Sequence, residues 1–297
     1  MTWSIVLPTR NRMQLLPDAI GSVFAQGETD WELVVVDDGS TDGTEQWLAT
    51  LSDDRVRVFH VAEGETGTGV AGTRNFGVRQ ARGEWVLFLD DDDRLYGQVL
   101  RQMQVAVRDN PDVRWLWGAR WMTDGEGVLK RRENAESLRV GPSSGEQAHL
   151  AAAKLVTSGL AVHRQTFVAL DGFDEALCVS EDRDLIYRLI SHDHPGVRLA
   201  APTVWFREHD GPRASDGSDY ASKNASDARV VEKNRAYLAA HPQVFVMHLH
   251  RVATRQRKAG DFESAHATMR EILRIQPSNW KARRRWMTWR RHNPSMP

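Results

Sequence analysis

Trp85-Val86-Leu87-Phe88-Leu89 runs without interruption into Asp90-Asp91-Asp92-Asp93. Five consecutive apolar residues read as a buried strand of the kind found inside a parallel sheet. The four carboxylates at its end have no packing rationale. Burying like charges is costly unless something positive is shared among them, and hard divalent ions such as Mg²⁺ accept such oxygens while keeping phosphate as a further ligand. A solvated acidic loop, or the N-cap of a helix over residues 95–107, is the competing reading.

Upstream, short β-rich runs alternate with longer amphipathic segments, the pattern of an α/β domain with an open, mostly parallel sheet flanked by helices. Strands are expected at residues 4–7, 32–36, 56–60, 85–89 and 114–117. Helices fill the gaps at 13–26, 44–51 and 70–82, the first with Leu15, Leu16, Ala19, Ile20 and Val23 on one face. In open α/β sheets ligands bind beyond the carboxyl ends of the strands. Here the first strand runs into Pro8-Thr9-Arg10-Asn11 and the second into Asp37-Asp38-Gly39-Ser40; the third leads to a glycine-rich stretch with Arg74-Asn75, and the fourth ends in the Asp run. All four ends would face one crevice. Asp37 and Asp38 fit two roles: turn and cap residues for a helix after Asp42, or acceptors for base and ribose hydroxyls. Gly67-Thr68-Gly69-Val70-Ala71-Gly72 spells the dinucleotide fingerprint, but residues 61–66 separate it from the third strand, whereas that fingerprint turns directly out of the first. It reads instead as a loop that admits phosphates, with Arg74 to neutralise them, or as a plain loop with a surface arginine.

The chain has 297 residues, 41% of them hydrophobic, enough for one large domain with an appendage. A single cysteine, Cys178, excludes an internal disulfide and a cysteine zinc site, and fits a cytosolic redox environment. No stretch approaches the roughly 20 apolar residues of a membrane span, and Thr2-Trp3-Ser4-Ile5-Val6-Leu7 reads as a first strand rather than an export signal. The net charge of −1 hides an asymmetry: residues 250–297 carry twelve Lys or Arg against three Asp or Glu, net +9, which leaves −10 for the rest. Such a tail suits an anionic membrane, an acidic polymer or the acidic body of its own protein, or is a solvated helix surface.

LPTRNR, VVVDDGSTDGT, GTRNFGVRQARGEWVLFLDDDD, LDGFDE and SEDRDLIYRL follow one another between about residues 3 and 210. In that order and spacing they resemble the inverting family 2 glycosyltransferases of the GT-A fold. The resemblance implies that Pro8, Thr9 and Arg10 border the nucleotide, that Asp38 contacts its base, and that Arg74 lies near the donor. It puts Asp90 and Asp92 at the two acidic positions of the metal-binding motif and Asp91 against the ribose. Asp92 becomes the direct ligand of Mn²⁺ or Mg²⁺, although a fully acidic run leaves open which pair binds the ion. Asp182 falls on the general base, with Glu181 flanking the acceptor. His209 falls where similar enzymes return a histidine to the metal or diphosphate; a lone histidine in a polar loop also fits the surface. The implied reaction is single-displacement, inverting transfer of a sugar from a UDP-linked nucleotide-sugar donor to a hydroxyl of a saccharide or lipid acceptor.

Read for itself, the segment from Ser180 to Ile190 is a helix with Leu185, Ile186, Leu189 and Ile190 on its apolar face and an acidic first turn, for which Ser180 is a ready cap. His163 reads as structural, and His248 and His250 have too few partners for a metal site. Trp115 and Trp117 alternate on a strand, so core is favoured over sugar stacking. Residues 123–145 read as an irregular acceptor-side connection and 211–227 as a mobile loop able to close over the donor. Gly260-Asp261-Phe262-Glu263-Ser264-Ala265, then Ile272-Leu273 and Pro277, look like one tetratricopeptide-type hairpin. A lone repeat cannot bury its own apolar face, so it should pack on the catalytic domain, on a second copy of the chain or on a partner. Lys281, Arg283, Arg284 and Arg285, interleaved with Trp280, Trp286 and Trp289, suit an interfacial membrane contact; no recognition motif for nucleic acid accompanies the charge.

The expected organisation is a catalytic domain over residues 1–240, with a nucleotide-sugar half at 1–120 and an acceptor half at 121–240, and a basic helical region over 241–297. The expected setting is the cytoplasm, with the tail peripheral at the inner face of the membrane or in a homodimer. Two alternatives stand beside this: a nucleotidyltransferase on a similar sheet, which needs no Asp182, and a non-catalytic binding protein whose tail recruits partners.

Overall fold

The computed structural model describes residues 1–62, 69–208 and 219–290. Its strands are β1 (Trp3–Thr9), β2 (Trp31–Asp38), β3 (Val56–Val61), β4 (Trp85–Phe88), β5 (Arg94–Leu95), β6 (Trp115–Thr123), β7 (Leu129–Arg132), β8 (Leu138–Val140), β9 (Ala161–His163) and β10 (Gly196–Arg207). Its helices are α1 (Leu16–Phe24), α2 (Thr44–Leu48), α3 (Gly69–Gln80), α4 (Val99–Asp109), α5 (Glu146–Ala152), α6 (Arg164–Ala169), α7 (Glu181–Ser191), α8 (Tyr220–Lys233), α9 (Arg235–Ala240), α10 (Pro242–Lys258), α11 (Phe262–Ile275) and α12 (Trp280–Arg290). The strands form one sheet in the order β3-β2-β1-β4-β9-β6-β10-β5, with β7 on β6 and β8 on β10. β3, β2, β1 and β4 are parallel; β9 runs antiparallel between β4 and β6.

The side-chain period of a strand divides the core in two. Ile5, Leu7, Leu33 and Val35 join Leu16, Ile20 and Met103 from α1 and α4. Val6, Val34 and Val36 face the other way, into a core shared with α3, α7 and the C-terminal helices. Helices on both faces explain why β1, β2 and β4 are apolar almost throughout. Each fully buried valine among them contributes roughly 1.5–3 kcal/mol. Gly77 is what lets α3 lie so close to the sheet, since a Cβ there would stand 2.5 Å from Val6 Cγ1.

The first four expected strands and first three expected helices are present, and the fifth strand runs on to Thr123. The expected helix over 95–107 is corrected: Arg94 and Leu95 form β5, antiparallel to β10, and α4 begins only at Val99. The Asp run therefore caps no helix. The connection expected to be irregular over 123–145 contains β7 and β8. Of the loop expected over 211–227, residues 211–218 lie outside the described residues. The rest opens α8, where Asp219 Oδ1 accepts the Ser222 N–H at 2.7 Å.

The hairpin is found as α10 and α11, turned at Gly260 with φ +82°. Val244, Phe245 and Leu249 of α10 and Ala265, Met269 and Ile272 of α11 share one core with Leu185 and Leu189 of α7 and Val230 of α8. The apolar face that would have called for a second copy is thus covered by the chain's own body. No described helix is long and apolar enough to cross a membrane.

Candidate active site

The loops after β1 and β2 fasten to each other. Asn11, at φ 53°, accepts the Thr41 N–H through Oδ1 at 2.7 Å and donates its own N–H to Ser40 Oγ at 2.8 Å. Met13 N–H donates to Asp42 Oδ2 at 3.1 Å, so the segment before Leu16 is held out of α1. Asp37 is a turn residue: Oδ1 accepts the Ser40 N–H at 3.1 Å, and Oδ2 lies 3.1 Å from His60 Nδ1. Asp38 turns instead toward α3, where Thr73 Oγ1 donates to it over 3.4 Å. The turn role thus falls to Asp37, while Asp38 is not used in that turn.

Arg74, only 4% exposed, is the bridge of the crevice. Nη2 donates to Asp90 Oδ1 at 2.5 Å and Nη1 to Glu181 Oε1 at 2.9 Å, joining the end of β4 to the start of α7. Burial pulls its pKa down, but Asp90 and Glu181 more than offset this and hold it above the ordinary value. Burial, and then Asp182, raise the pKa of Glu181, with Arg74 opposing. The next residue, Asn75, clamps the LDGFDE turn: Oδ1 accepts the Phe173 N–H and Nδ2 donates to the Phe173 carbonyl, each at 2.9 Å.

Asp90, Asp92 and Asp93 each place a carboxylate oxygen within 4.8 Å of the others. Asp93 is 1% exposed and accepts the Arg207 N–H at 3.0 Å; burial, then Asp92 and Asp90, push its pKa well above the carboxylate range. Three carboxyl groups gathered this closely, offering oxygen only, fit a hard divalent cation. Asp91 stands apart from the trio, with Oδ1 3.6 Å from Arg12 Nε. Burial and Asp92 raise it to about 7, against the Thr9 hydroxyl and the Arg12 guanidinium.

Ser180 enters α7 at φ 67° and does not cap it; its Oγ donates to Asp227 Oδ1 at 2.9 Å. Asp182, 8% exposed, accepts the Arg183 N–H at 2.7 Å and Arg183 Nη1 at 3.2 Å, both on Oδ1.

Of the expected site residues, Arg74, Asp90 and Glu181 meet directly, with Asp92 and Asp182 beside them in sequence. Pro8 and Thr9 end β1, and Arg10 is exposed beyond it. His209 lies outside the described residues, as do Gly67 and Thr68. His163 packs edge-on against Trp85 at 5.5 Å, and Trp115 and Trp117 are core. The sequence reading did not single out Asp93, Arg12, Arg183 or Ser158, whose Oγ accepts the Asp90 N–H at 3.3 Å. For Asp93 the signal was the run itself; the other three carry none.

A mostly parallel sheet whose central strands end in this acidic crevice, faced by a carboxylate-bearing helix, defines a GT-A type glycosyltransferase. Residues 4–154, half of the chain, match Glycosyl transferase family 2, and the protein belongs to that family. An uncharacterized glycosyltransferase of Haemophilus influenzae is 25% identical over 266 residues, covering 85% of this chain and 87% of that one. The GalNAc(5)-diNAcBac-PP-undecaprenol beta-1,3-glucosyltransferase of Campylobacter jejuni is 40% identical over 106 residues, which cover 36% of this chain and 34% of that one. Among solved structures, S. aureus TarS 1–349 in complex with UDP-GlcNAc superposes with a TM-score of 0.75 over 93% of this chain and 83% of that one, a likeness of fold at 18% identity.

Proposed function

We propose that this protein transfers a sugar from a UDP-sugar to a hydroxyl of a lipid-linked saccharide, with inversion at the anomeric carbon. The observation that carries this reading is Arg74, which ties the acidic strand end to the carboxylate pair on α7. The donor class is supported by TarS, whose complex holds UDP-GlcNAc, and the acceptor class by the Campylobacter relative, whose name specifies an undecaprenol diphosphate.

On this reading Pro8, Thr9, Arg10 and Asp38 border the nucleotide and Asp91 the ribose. Asp90, Asp92 and Asp93 would hold Mn²⁺ or Mg²⁺, with His209 as a further candidate ligand. A bound ion supplies Lewis-acid stabilisation of the departing diphosphate, the kind of charge stabilisation that usually dominates such reactions. Asp182 takes the proton of the acceptor hydroxyl as that oxygen bonds to the anomeric carbon and the bond to UDP breaks. Both hydrogen bonds to Asp182 fall on Oδ1, so Oδ2 is the oxygen presented to the proton. Arg74 positions Asp90 and Glu181. One displacement needs one base and no covalent intermediate.

Catalysis belongs to residues 1–240 in this reading, and acceptor or membrane access to 241–297. On α12, Trp280, Arg283, Arg284 and Met287 follow helical spacing on one exposed face, with Trp280 63% and Met287 50% exposed. Cations beside such apolar side chains suit an anionic inner leaflet, and flotation with phosphatidylglycerol vesicles that does not weaken with salt would reject this. The test of the whole reading is UDP release from a panel of UDP-sugars with Mn²⁺ and a polyprenyl-diphosphate-linked sugar, with the anomeric configuration of the product read by NMR. Retention of configuration, or a protein that does not bind UDP, overturns it.

A further inference from the structure

A cleft of about 360 Å³ opens between α8 and α10, lined by Val179, Tyr220, Lys223, Arg251, Arg255 and Lys258. Four cations meet there. The Lys223 and Lys258 ammonium groups each stand 5.5 Å from the centre of the Tyr220 ring. Arg255 has a partner, donating to Asp227 Oδ2 at 2.5 Å, and Asp227 is the carboxylate that also receives Ser180. Arg251 has none: it is half-buried and makes no hydrogen bond or ion pair among the described residues. Burial, then Arg183 and Arg255, push its pKa down to about 10, with Asp227 and Asp182 pulling the other way. A half-buried guanidinium with two cations near it and only distant carboxylates, none in direct contact, leaves its donors open to an arriving anion.

The cleft adjoins the entrance to α7. Val179 lines it three residues before Asp182, and Arg183, whose Nη1 holds Asp182, is the guanidinium nearest in effect to Arg251. We propose that this cleft, with Arg251 at its centre, binds the phosphate of the acceptor substrate. The inference rests on the transfer reading above and names what that reading leaves unspecified. In a single sugar joined through its anomeric carbon to a phosphate, the phosphate and an accepting ring hydroxyl are held apart by part of the sugar ring. A cation site beside a base, rather than at the donor crevice, matches that layout. Arginine suits the task because its fork meets two phosphate oxygens at once. Such a phosphate comes from two sources, a lipid diphosphate or a phosphodiester polymer, and both present the same oxygens.

The test uses the full chain with excess UDP and Mg²⁺ filling the donor site, titrated with geranyl diphosphate and, separately, with geraniol. The diphosphate should bind and the alcohol should not. Arg251→Gln should weaken diphosphate binding by about tenfold or more, the scale of one charge-assisted contact. Arg251→Lys should fall between, and UDP affinity should be unchanged in both. Lys258→Gln, at an exposed position, should weaken the same binding severalfold and keeps the test open if the arginine variants do not fold. Displacement by a glycerol phosphate oligomer assigns a phosphodiester acceptor, and no displacement assigns a lipid diphosphate. Undiminished diphosphate binding by Arg251→Gln and Lys258→Gln, or equal binding of geraniol, overturns the proposal. So does Arg251-dependent binding to phosphatidylglycerol vesicles with none to geranyl diphosphate. A wild-type chain that fails to bind UDP removes the transfer reading instead, while the loss of diphosphate binding in Arg251→Gln relative to wild type still reports on the cleft.

Discussion

Asp92 and Asp182 should fail in different ways. Asp92→Ala removes a shared oxygen from the acidic trio without touching the core, so Mn²⁺-dependent binding of UDP should be lost; unchanged calorimetric affinity would assign the ion to Asp90 and Asp93 alone. Asp182→Asn keeps shape and hydrogen bonds but not basicity. UDP affinity should persist while transfer falls by roughly 10² to 10⁴-fold, and near-normal turnover would pass the role to Glu181. Arg74 makes a third case, because its loss leaves Glu181 and Asp90 as neighbouring buried or half-buried anions. Arg74→Met should cost about 3–5 kcal/mol in urea unfolding, and Glu181→Gln added to it should recover part of that loss. Additive effects of the two changes would mean that the bridge carries no coupling.

Among the elements, α10 should dock in a pH-dependent way. His248, 1% exposed, is held at a pKa of about 4 by burial, with Asp227 raising it and Arg183 and Arg251 lowering it. The fold thus prefers the neutral ring. That contribution is present above the unfolded value near 6.5 and is lost as pH falls toward 4, at about 1.4 kcal/mol per pH unit. The urea midpoint should drop between pH 7 and pH 5, and His248→Gln should flatten the drop; parallel curves would exonerate the histidine. Legibility also varied by element. β1, β2 and β4 announced themselves because burial on both faces demands apolar runs, and the half-buried edge strand β3 through its valines and phenylalanine. β5 has two residues and no periodicity, and Leu129-Lys130-Arg131-Arg132 reads as a charged loop because its pairing with β6 comes from backbone rather than side chains. At the site, the motifs located the crevice, but sequence could not show that Ser180 turns to Asp227 rather than capping α7. That choice depends on an aspartate forty-seven residues downstream.

Across the molecule, the basic tail is less separable than its charge suggests. Cutting after residue 249 would remove Val252, Ala253, Ala265, Met269, Ile272 and Ala282 from the buried core and take Arg255 from Asp227. The truncated chain should unfold at a lower temperature and expose dye-binding apolar surface, whereas a tail that merely decorates the protein would leave the melting curve in place. Asp227 links Arg255 to Ser180, so the helix that bears Asp182 is fastened by a residue translated more than seventy positions after it. On the ribosome, the parallel strands and the Asp run therefore emerge well before the contacts that fasten α7 are complete. A chain halted short of residue 255 lacks the Arg255–Asp227 pair, so the fastening of α7 through Ser180 is completed only in the last stretch of translation.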